Sequence, residues 1–128
     1  MEKFSAKLIE ASRELTARDK IRFKNFGTAL SLDTLVHDES EAFVIEPIGY
    51  VAYDVHNDNS ENKDYKMFII EDKSGALYRT GSGAFFDRFK EIFDTMAADA
   101  PGEEYTISVV KRPSAKYKGK FVLLCQLN

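Results

Sequence analysis

Residues 76 to 97, ALYRTGSGAFFDRFKEIFDTMA, decide how the rest of the chain reads. Ala76 to Thr80 has the texture of a strand. Thr80-Gly81-Ser82-Gly83 then breaks it with small residues, and Thr80 or Ser82 supplies a hydroxyl of the kind that caps a helix N-terminus. Phe85, Phe89, Ile92, Phe93 and Met96 follow on one side at helical spacing, with Asp87, Lys90, Glu91 and Asp94 on the other. The spacing therefore predicts an amphipathic helix from Ser82 to Ala97, with Phe86 at its edge and Ala100-Pro101-Gly102 as its close.

Working outward, Tyr65 to Ile70, the turn Glu71 to Gly75 and Ala76 to Thr80 read as a hairpin. The polar cluster from His56 to Asp64 is a loop. Before it, Phe43 to Val55 is a strong strand pattern in which Pro47 and Gly49 suggest a bend or bulge, and Ala29 to Val36 is a weaker strand candidate. After the helix, Tyr105 to Arg112 and Lys120 to Leu127 form a second hairpin around the loop Pro113 to Gly119. Phe4, Leu8, Ala11 and Leu15 recur at helical spacing and predict a short N-terminal amphipathic helix. Ala17 to Phe26 fits more helix, a docked arm or a basic tail. The division is thus an N-terminal helix and basic segment, residues 1 to 26, ahead of one globular unit, residues 27 to 128. Three strands, one helix and two strands is the order of the oligonucleotide-binding fold, a mostly β, five-stranded, partly open barrel with its helix between the third and fourth strands.

With 128 residues, 44% hydrophobic and 30% charged, the chain has the makings of one core. No apolar run approaches the ~20 residues that span a bilayer, and the N-terminus alternates charged with apolar residues, which predicts a cytoplasmic protein without a membrane partner. The single Cys125 sits in an apolar strand pattern and reads as a small buried hydrophobe. His37 and His56 lack cysteine partners at zinc spacing, so no metal is expected. A net charge of −3 argues at face value against nucleic acid, yet the charge is unevenly placed. Residues 1 to 26 hold seven basic and four acidic side chains, residues 27 to 104 hold six and seventeen, and residues 105 to 128 hold five basic and none acidic. A local basic stripe is what phosphate binding requires.

Gly49-Tyr50-Val51-Ala52-Tyr53, Leu77 to Ser82, Phe85-Phe86-Asp87-Arg88-Phe89, and Pro113-Ser114 through Lys118-Gly119-Lys120-Phe121-Val122 together resemble the small single-stranded DNA-binding proteins of bacteriophages of Gram-positive bacteria. The likeness covers roughly residues 43 to 127. It implies a non-catalytic protein that coats and protects unwound DNA during phage replication, with single-stranded DNA and replication proteins as partners and no cofactor. The glycine-rich, acidic-tipped tail of better-known bacterial homologues has no counterpart before Asn128, so recruitment of partners by such a tail is not expected.

Binding single strands without sequence preference needs aromatic faces for the bases and cations for the phosphates. The second hairpin offers Lys111, Arg112, Lys116, Lys118 and Lys120 around Tyr117, an aromatic at a loop tip with no core to join. On the early strands Tyr50, opposite in parity to Val51 and Tyr53, and Tyr78, beside Arg79, are the stacking candidates. Arg18, Lys20, Arg22 and Lys24 either reach along DNA as an extended arm or form the solvated face of a helix. No phosphate-cradling motif follows Gly81-Ser82-Gly83, and no catalytic residue is assigned. Two other readings compete: an acidic protein-binding module that imitates DNA and inhibits a host factor, and a metal-dependent nuclease built from Asp54, Asp58, Asp64, Glu71 and Asp72.

Overall fold

The computed structural model describes residues 4–25, 28–36, 42–59, 61, 63–114, 116 and 118–128. The elements in chain order are β1 (Phe4–Ala11), α1 (Ala17–Lys24), β2 (Leu30–Ser31), α2 (Leu32–Leu35), β3 (Ala42–Ile45), β4 (Pro47–Asn57), β5 (Asp64–Asp72), β6 (Leu77–Thr80), α3 (Gly83–Asp99), β7 (Ile107–Pro113) and β8 (Phe121–Leu127). The protein is mostly β, as expected. Its strands form a five-stranded sheet in the order β1-β4-β5-β6-β2 and a three-stranded sheet in the order β3-β7-β8. Neither sheet closes into a barrel. The chain divides into two compact units, one of Met1–Leu30 with Ile48–Gly81, the other of Ser31–Pro47 with Ser82–Asn128.

In the first unit, Phe23, Val51, Tyr53, Val55, Ile69 and Leu77 build the core, with Ala6, Ala11 and Leu15 packed against it. The N-terminal segment corrects the sequence expectation, because residues 4 to 11 are strand and not helix. β1 pairs antiparallel with β4, Ala6 opposite Val55 and Ala11 opposite Val51, with a register shift between Leu8 and Glu10. In an unbroken strand, residues five apart point to opposite faces. The extra residue at the shift returns Ala11 to the core side and leaves Ile9 exposed, a β-bulge whose altered spacing mimics helical periodicity. The helix begins later, where Thr16 and Asp19 form a reciprocal capping box: the Asp19 N–H donates to Thr16 Oγ1 at 3.1 Å and the Thr16 N–H to Asp19 Oδ2 at 3.3 Å. α1 therefore resolves the basic stretch as a helix.

Its Arg22 joins Arg13 on the buried carboxylate of Glu71, which is 4% exposed. Arg22 donates a hydrogen bond to Glu71 Oε2. Arg13 Nη2 lies 3.0 Å from Oε1 but off the line of a hydrogen bond, so it acts there chiefly by charge. Both guanidiniums also stand over the Phe23 ring, at 5.8 and 4.9 Å from its centroid. Gly49 makes the floor of this cluster: a Cβ there would sit 2.4 Å from Arg13 Nη1.

In the second unit α3 is as the sequence predicts. The Ser82 hydroxyl accepts from the Phe85 N–H at 3.3 Å. Phe85, Phe86, Phe89 and Ile92 are buried on one side, with Phe86 and Phe93 at 6.1 and 5.8 Å from the Phe89 ring. Met96, expected in the core, is only half-buried. Glu46 separates β3 from β4, so the continuous Phe43 to Val55 pattern is shared between the two sheets.

Candidate nucleic-acid interface

β7 and β8 pair antiparallel with Ile107 opposite Leu127, Val109 opposite Cys125, Lys111 opposite Leu123 and Arg112 opposite Val122. Side chains directly opposite one another share a face, and successive residues alternate. One face thus carries Val109, Cys125 and Leu123, all buried. Burial pushes the Cys125 thiol up to about 12, against a smaller downward pull from Arg88, so it stays a protonated apolar side chain, as the sequence implied.

The other face carries Ser108, Val110 and Arg112 with Gln126, Leu124 and Val122, and is extended by β3, where Val44 lies opposite Ser108 and Ala42 opposite Val110. It is open at its margins. Val44 is 54% exposed, Val122 42% and Leu124 40%. Between these margins Ser108 and Val110 are buried; Arg112, opposite Val122, is half-buried, and its Nη1 donates to the Lys111 carbonyl at 3.1 Å. An apolar sheet surface bearing a guanidinium plane is a platform on which a base can stack.

At one end of that face the hairpin loop gathers the remaining cations. The Ser114 N–H donates to the Lys120 carbonyl at 2.8 Å, closing the loop. The Lys116 N–H donates to the Ser114 hydroxyl at 3.3 Å, and Gly119 supplies the left-handed turn, φ +81°. Lys116, Lys118 and Lys120 are exposed. The loop thus holds three exposed cations in the segment that follows Arg112, with no acidic residue between Tyr105 and Asn128.

The structure distributes the other expected site residues differently. Lys111 points to the opposite face from Arg112, and its Nζ donates to the Asp33 carbonyl of α2 at 3.3 Å, so it ties α2 to the hairpin. Tyr117 lies outside the described residues. Tyr50 and Tyr78 belong to the first unit and are only 4% and 9% exposed, which leaves neither ring an open face for a base. Burial, then the charge of Asp72, pushes the Tyr78 hydroxyl up. Arg79, on β6, spends its Nε–H on the Ala29 carbonyl at 3.2 Å.

The sequence reading missed Val44, Val122 and Leu124. β8 is apolar at both parities, a pattern that signals a strand covered on both faces, and the structure covers only one.

Four acidic side chains of the first unit are engaged. Glu71 holds Arg13 and Arg22. Asp58 and Asp64 each bond one ring nitrogen of His56 at 2.8 Å, and Asp72 Oδ2 accepts from the Ser74 N–H at 2.8 Å. Among the described residues no group of three or more His, Cys, Asp or Glu side chains is arranged to hold a metal ion, and no helix is long and apolar enough to cross a membrane. No protein-family model, curated protein or solved structure matches this chain.

Proposed function

We propose that this protein binds single-stranded DNA without catalysis, through the β7–β8 hairpin and the open face beside it, and coats unwound strands in the cytoplasm during phage replication. The observation that carries the reading is the gathering of Lys116, Lys118 and Lys120 in the loop that follows Arg112, at one end of a sheet face whose aliphatic margin, Val44, Val122 and Leu124, is exposed. Cations there follow the phosphates while Arg112 and its aliphatic neighbours receive a base, the combination that sequence-tolerant single-strand binding needs. Tyr117, in the same loop, is the aromatic best placed by sequence to add a second base. Tyr50, Tyr78, Arg79 and Lys111 have structural duties and leave the proposed contact set. The order β4, β5, β6, α3, β7, β8 supports kinship with the oligonucleotide-binding fold, as an opened variant of it. Imitation of DNA by the acidic middle is the weaker reading, because Glu71 already faces two guanidiniums and Asp58 and Asp64 each bond the ring of His56 within their own unit.

A titration of labelled ~30-nucleotide thymidine strand against duplex of equal length tests the proposal. Each phosphate contact on a single strand contributes about −0.7 to the slope of log affinity against log salt, so four cations give at most about −2.8. Changing Lys118 and Lys120 together to alanine should flatten the slope by about 1.4 and weaken binding equally for all base sequences, since phosphates carry no sequence information. Absence of binding at ~20 mM salt, where screening is weak, would remove the proposal.

A further inference from the structure

The four sheet edges are not alike. β1 is interrupted by its bulge and carries Lys7 and Glu10. β2 has two residues and β3 four. Charge, bulging and shortness are the devices by which natural sheets prevent edge-to-edge pairing. β8, the outer strand of the three-stranded sheet, has none of them: seven residues, FVLLCQL, with no charge, no proline and no glycine. Beside it lies a cleft of about 560 Å³, lined by residues 121 to 126, by Asp33 of α2 and by Ser82, Ala84, Phe85 and Arg88 at the start of α3.

We infer that β8 pairs antiparallel with β8 of a second copy of this chain, joining two three-stranded sheets into one of six strands. The choice of a second copy over a foreign strand rests on self-complementarity. A two-fold pairing centred on Leu124, the midpoint of β8, sets Phe121 opposite the partner's Leu127, Val122 opposite the partner's Gln126, and Leu124 opposite its own equivalent. Phe121 and Leu127, 54% and 48% exposed, thus cover one another. No like charges meet, because the strand has no charge; the same operation on β1 would set equal charges near each other or require a bulge to match a bulge. This inference rests on the strand edge alone and is independent of DNA binding.

Sedimentation equilibrium of the full chain without DNA tests it. The parent should sediment as a dimer at ~100 µM, a concentration that reveals even modest self-association. Leu124→Glu and Leu124→Lys each place like charges directly opposite, and each should raise the dissociation constant roughly 100-fold, the scale of like-charge juxtaposition across an interface. An equimolar mixture of the two variants should recover the dimer, an outcome that misfolding of either could not produce. A monomeric parent overturns the inference and leaves the edge to an extended segment of another protein. A dimer that persists unchanged in both single variants also overturns it, by locating the contact elsewhere.

Discussion

Gly49→Ala is the substitution whose cost the structure specifies most closely. The added methyl would stand 2.4 Å from Arg13 Nη1, 3.2 Å from Ser12 Oγ and 3.4 Å from Glu71 Oε1. Only the first of these is impossible, and it involves the far end of a flexible side chain. Arg13 is therefore expelled from Glu71 while the β4 backbone stays put. Arg22 still holds the other oxygen, so the carboxylate is not orphaned, and the loss is that of an ion pair without a hydrogen bond, made by a guanidinium that solvent reaches, about 1 kcal/mol at most. Replacing glycine by alanine within a strand returns roughly 0.5 to 1 kcal/mol of backbone entropy. The net cost should be only about 0 to 0.5 kcal/mol, read as a urea midpoint little changed at unchanged slope. A double-mutant cycle isolates the cause: in an Arg13→Ala background, Gly49→Ala should cost nothing or stabilise slightly, because the side chain it displaces is gone. Strict additivity would refute the reasoning and point to Ser12 as the obstacle.

Phe89, 0% exposed in the α3 core, should cost ~3 to 5 kcal/mol when changed to alanine; a variant that melts with the parent would show that α3 is not the lid of its unit's core. His56 bonds Asp64 and Asp58 through its two ring nitrogens, and these bonds, Asp64 first, hold its pKa above the ordinary imidazole value of ~6.5. A raised folded-state pKa means that the stabilisation is complete below ~6.5 and is lost as pH rises through the folded value. Proton NMR should show His56 titrating above ~6.5, and Asp64→Asn should move it down; an unshifted His56 would mean that the two carboxylates do not clip the β4–β5 loop in solution.

The parts of the fold legible in the sequence are those whose signals are local. Ser82 and the phenylalanines after it specify α3 without help from the rest of the chain, and both hairpins announce themselves by apolar runs around polar turns. β1 was illegible because its bulge gives a strand the spacing of a helix, and only the pairing with β4 shows which period is real. The capping box at Thr16 and Asp19 was the available clue that a helix starts there and not at Phe4. The split at Glu46 could not be read because alternation continues through it; Pro47, which has no N–H to give a ladder, marks the place but does not reveal that Phe43 pairs with Val109 and Val51 with Ala11.

The candidate site was legible as charge and illegible as surface. Consecutive Lys111 and Arg112 must point to opposite faces of a strand, but which face stays open depends on α2 and α3, which no local pattern encodes. Tyr50 and Tyr78 failed as platforms because β4 and β6 lie inside a five-stranded sheet, where parity does not separate wet from dry. What the structure adds is a division of labour within β8. Its side chains project from the two broad faces, while its unpaired backbone groups lie in the plane of the sheet. Pairing with a second copy uses the plane, and Arg112 with Val122 and Leu124 occupies a broad face, so the two contacts do not compete. A strand lying on one protomer's open face would meet the equivalent face of its partner across β8, with the basic loops at opposite ends of the paired strands, about seven residues or ~24 Å apart. Two such footprints on one scaffold raise the effective concentration of the second once the first is bound. Affinity for a strand long enough to reach both loops should therefore exceed affinity for a short one, and the excess should shrink when the protein is diluted below the dissociation constant of its dimer.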